Sequence, residues 1–223
     1  MKSMKLIMES FNKFLAEQVD FDKAQELIDN NPYLKGKLEA NEDSMIDSDK
    51  YVLFVAEDSL DHVKDRHMDV DAPGSLFKAD INLKDTIKNL LGKDPSEEAD
   101  GRVKWLGVEL DEDIGDMGVK LGDHDEVAGM KDYTMPGGRQ EDVKIAAGER
   151  DSTNKMSLIT AELGELDGKK VLSLITAFPG GTDIDGKEMP TDRSQFAEEG
   201  FYFVLPEDSP LLTGDAGDDK EEE

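Results

Sequence analysis

Apolar residues in the first part of the chain recur at the spacing of amphipathic helices. The first run lies within residues 1–17 and predicts a short helix, with apolar positions Met4, Leu6, Ile7, Met8, Phe11, Phe14 and Leu15. A second run, from Phe21 to Ile28, predicts another helix, which ends before Asn30-Asn31-Pro32. Residues 35–49 are rich in acidic side chains and are typical of a linker, so residues 18–49 are predicted to form a helix and an acidic linker.

The next part of the chain begins with a β-prone run. Tyr51–Val55 is continuous, apolar and of strand length, and it predicts the first core strand. A helix is expected to follow directly and to end near Val70. A further helix is predicted from Leu83 to Leu91, and a strand from Val103 to Val108 whose Trp105 lies in the core.

The clearest β pattern comes late in the sequence. Lys155–Leu163 and Lys170–Phe178 predict two strands joined by a turn at Asp167-Gly168, a strong hairpin signal. Another strand is expected at Phe201–Leu205. Residues 109–150 alternate glycines with acidic residues and are interpreted as an insertion of short strands or loops.

These patterns predict an α+β fold in which N-terminal helices precede a curved antiparallel sheet. Residues 50–206 are expected to form a single core domain, which contains the insertion at 109–150. Residues 207–223 are too polar to pack and are predicted to be a disordered acidic tail.

The charge of the chain limits its partners. There are 53 acidic and 26 basic residues, which give a net charge of −27 and a pI near 4.3. The negative electrostatic field of such a chain repels phosphate backbones, so nucleic-acid binding through a broad basic surface is disfavoured. A local basic pocket remains compatible with this charge. The acidity fits a highly soluble or salt-adapted surface, a surface complementary to a basic partner, or DNA mimicry.

Other features of the composition exclude further classes. The chain has no cysteine, which excludes disulfides, thiolate metal sites and thiol nucleophiles. No apolar run reaches 18 residues, so no membrane-spanning segment is predicted and the chain is expected to be soluble. Polar residues such as Glu9, Asn12 and Lys13 interrupt the N-terminal run, so secretion through a signal peptide is not expected.

Two of the three histidines lie together in Leu60-Asp61-His62-Val63-Lys64-Asp65-Arg66-His67, and imidazole is the side chain suited to acid–base chemistry near neutral pH. If Ser59 or Asp58 caps a helix here, His62 and Arg66 share one face, with His67 one step round. The alternative is a solvated helix whose cations pair with the surrounding aspartates and contribute little to stability.

No cofactor or metal site is expected from the motifs. The sequence contains neither a phosphate-binding loop nor a nucleophile elbow. Asp111–Asp116 and Asp183–Glu188 are incomplete as calcium loops. His124 between two aspartates is interpreted as part of a solvated loop.

Two distant parts of the chain together resemble the barnase, EndoU, colicin and RelE-like nucleases, several branches of which occur in phages. These parts are the motif His62-Val63-Lys64-Asp65-Arg66-His67 and the later hairpin that ends Leu174-Ile175-Thr176-Ala177-Phe178-Pro179. In that group a helix with the pattern H-I/V-x-x-R-H precedes a curved antiparallel sheet whose last strands carry a serine or threonine. The resemblance covers about residues 50–180 and implies metal-independent cleavage of RNA.

The resemblance also implies residue roles. His62 or His67 would move the protons, Arg66 would bind the phosphate, and Thr176 or Ser173 would donate a hydrogen bond from the strand. RNA is therefore one expected partner. The alternatives are an acidic, non-enzymatic protein that binds a basic host or phage protein, and a structural protein with solvated histidines.

The N-terminal segment carries a second resemblance. Residues 1–17, which end in Leu15-Ala16-Glu17, are similar to the capsid-targeting peptides of internal head proteins of T-even-like phages, which are cut after a Leu/Ile-x-Glu site. This resemblance implies a phage protein located in the virion or the host cytoplasm, with a mature chain that begins at Gln18. The alternative is a helix that stays docked on the core.

Overall fold

The computed structural model describes residues 19–68, 73–135, 141–190 and 195–213. The helix predicted within residues 1–17, the predicted helix end near Val70 and residues 214–223 of the predicted tail lie outside these ranges. The helices within the described ranges are α1 (Phe21–Asp29), α2 (Glu57–His67), α3 (Leu83–Gly92) and α4 (Pro210–Thr213).

The strands of the same ranges are β1 (Met45–Asp47), β2 (Tyr51–Phe54), β3 (Leu76–Phe77), β4 (Ser96–Asp100), β5 (Val103–Glu109), β6 (Gly115–Met117), β7 (Val119–Leu121), β8 (Lys131–Met135), β9 (Glu141–Ala147), β10 (Asp151–Thr153), β11 (Lys155–Leu166), β12 (Lys169–Pro179), β13 (Asp183–Ile184), β14 (Lys187–Glu188) and β15 (Phe201–Leu205). The fold is mixed, with 40% strand and 19% helix. No helix in the described part of the chain is long and apolar enough to cross a membrane.

The strands form several sheets rather than one. The largest has the order β1-β2-β12-β11-β5-β4, and a four-stranded sheet has the order β7-β15-β9-β8. The strands β10-β6-β3 and β13-β14 form two smaller sheets. The insertion predicted at 109–150 therefore contributes strands to the second and third sheets.

The predicted hairpin is observed as β11–β12, and it lies at the centre of the largest sheet. Its turn residues Asp167 and Gly168 have φ values of 51° and 81°. Two successive positive φ angles are the requirement of a type I′ turn, whose twist matches that of the two strands. Aspartate and glycine adopt this conformation at little energetic cost, and for this reason the pair Asp167-Gly168 predicts the hairpin turn from the sequence.

The sheets are not purely antiparallel. β2 pairs with β12 in parallel, and β15 pairs with β9 in parallel. The prediction of one antiparallel sheet is corrected here, because apolar alternation sets which side of a strand is buried but carries no information on strand direction. The predicted linker also contains β1, and its Leu38 and Ile46 are buried.

Three apolar clusters hold these layers together. On one face of the largest sheet, α3 packs its Ile87, Leu90 and Leu91 against sheet residues such as Leu158 and Leu172. The opposite face meets the four-stranded sheet in a second, aromatic-rich cluster that includes Trp105, Phe178, Phe201 and Phe203. Near the hairpin turn, α1 covers that second face with Ala24 and Ile28.

An ion-pair network joins distant strands of the largest sheet and shows that the sheet is not flat. Glu97 on β4 accepts hydrogen bonds from Lys170 on β12, with the shorter at 2.6 Å. These strands are three spacings apart, about 14 Å in a flat sheet, which is too far for the pair. Lys104 on β5 lies 3.6 Å from Glu97 and 3.2 Å from Glu162 on β11. The network therefore links four strands of the sheet, β4, β5, β11 and β12.

This network makes one contribution to stability dependent on pH. The hydrogen bond from Lys170 holds the pKa of the Glu97 carboxyl below its ordinary value. The contribution is full above the pKa of the unfolded chain and is lost as the pH falls through the folded value. We expect Glu97→Gln to lower the free energy of unfolding by about 0.5–1 kcal/mol at pH 7 and to have no effect near pH 2.

Urea denaturation of both proteins at the two pH values measures this difference. Glu98→Gln, on the same strand, is the matched control because Glu98, unlike Glu97, forms no ion pair with another described residue. If Glu97→Gln lowered the free energy of unfolding equally at both pH values, the stabilisation by Glu97 would not be electrostatic.

Candidate active site

The site begins where β2 ends. On its β12 side, β2 pairs with Lys170–Ser173, which is only the first part of β12. Beyond this point α2 lies along β12, and the Ser59 hydroxyl donates to the carbonyl oxygen of Leu174 at 2.8 Å. The prediction that Ser59 or Asp58 caps the helix is wrong, because α2 begins at Glu57 with Ala56 as the N-cap residue. Ser59 instead fixes the helix to the strand.

A bulge in β12 decides which way the strand hydroxyls face. Thr176 pairs with Ile159 and Leu174 pairs with Thr160, so Ile175 is an extra residue. Ser173 and Thr176 are three residues apart and would face opposite sides of a regular strand. Because of the bulge they share one face, since their partners Ala161 and Ile159 are two residues apart on β11.

Thr176 and His67 meet in one concave site, which we name the His67 cleft. The residues around it include His67, Ser75, Trp105, Thr176, Phe178 and Phe203. Its volume is about 60 Å³, enough for on the order of four or five water molecules. The lining is mainly apolar and contains no lysine or arginine among the described residues.

The main chain orients the His67 ring. His67 is only 4% exposed, and its Nδ1 lies 2.9 Å from the carbonyl oxygen of Ser75. A carbonyl oxygen only accepts, so Nδ1 carries the proton that this hydrogen bond uses. Nε2 is therefore the basic nitrogen of the neutral ring. The ring centroid lies 5.8 Å from that of Phe178.

The strand side of the cleft supplies a hydroxyl. Thr176 is buried, and its Oγ1 has no hydrogen-bond partner within the described residues. An unpaired buried hydroxyl costs about 1–3 kcal/mol, so a bound molecule that accepts its proton would recover that cost. Trp105 and Phe178 pack edge to face beside it, with centroids 6.2 Å apart.

A tight backbone crossing forms one wall of the cleft. The Gly118 amide donates to Ser75 Oγ at 3.2 Å, and a Cβ at Gly118 would lie 2.0 Å from the carbonyl oxygen of Gly74. The Arg150 Nε lies 3.2 Å from the same Cβ position. Burial lowers the pKa of the Arg150 guanidinium, and the charge of Asp116 opposes this shift. A half-buried cation therefore lies behind the wall.

The other predicted residues lie elsewhere. His62 is exposed and lines a second concavity, the His62 groove, together with Tyr33, Leu34, Asp58, Ser173 and Ile175. Arg66 is half-buried near Tyr133, where its charge opposes the rise that burial causes in the pKa of the Tyr133 hydroxyl. His62 and Thr176 line different concavities and Arg66 lines neither, so these three residues do not share the one phosphate site that their implied roles require.

Four of the five predicted residues thus form two pairs, His67 with Thr176 and His62 with Ser173, and Arg66 lies in neither concavity. Ser75 and Arg150 were not predicted, and no motif marked them, because both act through a backbone crossing between distant segments. Trp105 is buried as predicted and also lines the cleft. Within the described ranges no group of three or more His, Asp or Glu side chains is placed to hold a metal ion.

The glycine crossing gives a test of how the His67 ring is held. We expect Gly118→Ala to lower the free energy of unfolding by about 2–3 kcal/mol, because the new methyl group displaces Gly74 and with it Ser75. The ring signals of His67 in an NMR spectrum should shift. Gly92→Ala is the control, since its Cβ meets open space and should change stability by less than about 1 kcal/mol. If Gly118→Ala changed neither the free energy of unfolding nor the His67 ring signals, the glycine crossing would not be what holds the His67 ring.

Comparison with known proteins returned no match to this chain among family models, curated proteins or solved structures.

Proposed function

We propose that this protein is a phage-encoded, metal-independent endoribonuclease whose active site is the His67 cleft. The observation that carries the proposal is the meeting of His67 and Thr176 in one cleft. His67 belongs to the helix motif and Thr176 to the hairpin. The resemblance to barnase, EndoU, colicin and RelE-like nucleases rests on these two distant parts of the chain.

The chemistry follows from the His67 tautomer. Nε2 takes the proton of an RNA 2′-hydroxyl, and the 2′-oxygen attacks the adjacent phosphorus. The bond from phosphorus to the 5′-oxygen breaks, and this oxygen takes the proton from the imidazolium. The products are a 2′,3′-cyclic phosphate and a 5′-hydroxyl, so atoms and charge balance without a further reactant.

The remaining residues have supporting roles. The Thr176 hydroxyl donates to a non-bridging phosphate oxygen, where negative charge develops in the transition state. Trp105 and Phe178 form part of the apolar lining next to Thr176. Arg150 behind the glycine crossing supplies positive potential through a low-dielectric wall. His62 and Arg66 take no part in the chemistry.

The proposal extends to the organisation and location of the chain. Residues 50–206 form a single core domain of α+β type, and the segment 1–17 directs the protein to the virion before cleavage after Glu17. The RNA substrate is then met in the host cytoplasm.

The test is cleavage of a mixed single-stranded RNA in EDTA, with product ends identified by mass spectrometry. We expect a 2′,3′-cyclic phosphate, a rate at least about 100-fold lower for His67→Ala, and a smaller loss for Thr176→Val. His67→Asn keeps a donor for the Ser75 carbonyl and should be equally inactive. His62→Ala is the matched control and should retain full activity.

Two results would refute the proposal. One is the absence of cleavage by the parent protein between pH 5 and 9 at low and high salt. The other is a loss of activity in His62→Ala with none in His67→Asn.

A second candidate function is a non-enzymatic one, in which the acidic surface binds a basic protein. The net charge of −27 and the lack of lysine and arginine in the described lining of the His67 cleft favour it. It predicts binding of a cationic polypeptide such as polylysine that weakens steeply with salt, together with no cleavage of RNA.

A further inference from the structure

The His62 groove exposes apolar surface. Tyr33 and Ile175, the exposed large hydrophobic residues of the described ranges, are 83% and 43% accessible, and both line this groove. Leu34, Ala161 and Leu174 extend the apolar lining, and the groove encloses about 320 Å³. Large apolar side chains exposed together in a concavity mark an interaction surface more often than isolated ones do.

A polar group inside the groove also lacks a partner. Ser173 is 1% exposed, and its Oγ has no hydrogen-bond partner within the described residues. It lines the groove beneath Ile175, the residue that the bulge in β12 directs outward. An occupant that covers Ile175 and accepts or donates a hydrogen bond at Ser173 would satisfy both features at once.

The chain itself contains a segment that fits this groove. Residues 1–17 place apolar side chains at helical spacing, and a helix of that length spans about 25 Å. The described chain begins at Val19, which packs against the same cluster as Leu34, a residue of the groove. The N-terminal segment therefore emerges close enough to reach it.

Charge favours the same occupant. Residues 1–17 contain three lysines and two glutamates, whereas the whole chain carries −27. Asp58 lies at the groove, and a weakly cationic amphipathic segment suits an apolar surface within an acidic molecule. A second copy of the chain would bring another strongly acidic surface to the same place, which is electrostatically less favourable.

We propose that the N-terminal segment, residues 1–17, docks as an amphipathic helix in the His62 groove of its own chain. Its apolar face covers Tyr33 and Ile175, and a polar group of the segment pairs with the Ser173 hydroxyl. This docking does not depend on the nuclease activity, because the groove is separate from the His67 cleft. Removal of the segment after Glu17 would uncover the groove.

Photo-crosslinking of the full-length chain tests the docking. The photoreactive residue p-benzoyl-phenylalanine is placed at position 33, where it replaces an exposed tyrosine with another aromatic ring. We expect crosslinks from position 33 to peptides within residues 1–17, with a yield independent of protein concentration. Position 88 is the control, since Lys88 is exposed on α3, which packs on the other face of the largest sheet.

Mixed samples of ¹⁴N- and ¹⁵N-labelled protein identify the occupant. Crosslinks between light and heavy chains would show a second copy in the groove and overturn the proposal. Crosslinks only to residues after Val19 would also overturn it. The double variant Phe11→Asp and Phe14→Asp changes no residue of the described core and should reduce the crosslink yield at least fivefold, and an unchanged yield would refute docking through the apolar face.

Discussion

The unpaired edge of β12 is the constraint on which the arrangement of this molecule depends. β2 covers only Lys170–Ser173, and the carbonyl groups beyond need other partners because buried main-chain oxygens are costly to leave unpaired. Ser59 meets this requirement at Leu174 and thereby fixes α2 along the strand. The same contact holds both histidines of α2 beside β12, where His62 and Ser173 line one groove and His67 and Thr176 line one cleft.

The separation of the two histidines follows from helix geometry. Residues five apart on an α-helix differ by about 140° around its axis, whereas residues four apart differ by about 40°. His62 and His67 therefore cannot share a narrow site, although the sequence presents them as one cluster. The buried apolar position Val63, next to His62, shows which side of the helix meets the core.

Local signals in the sequence were sufficient for much of the fold. The turn at Asp167-Gly168, the spacing of Leu83, Ile87 and Leu90 in α3, and the apolar run of β2 each specify their own element, and all three are observed. The parallel pairing of β2 with β12 and the strands between residues 109 and 150 depend on contacts between distant segments. The same is true of Ser75, whose carbonyl oxygen becomes important only once His67 lies against it.

The bulge at Ile175 has a consequence for how this sequence is able to diverge. The side chain at that position is exposed, so its identity is weakly constrained by packing. The presence of a residue there is also weakly constrained by the strand hydroxyls, because its loss would leave Ser173 and Thr176 two residues apart and therefore still on one face of a regular strand. Evolution of β12 is thus tolerant of substitution at this point and of the loss of this one residue, which relatives of this chain should reveal as a variable position that is absent from some of them.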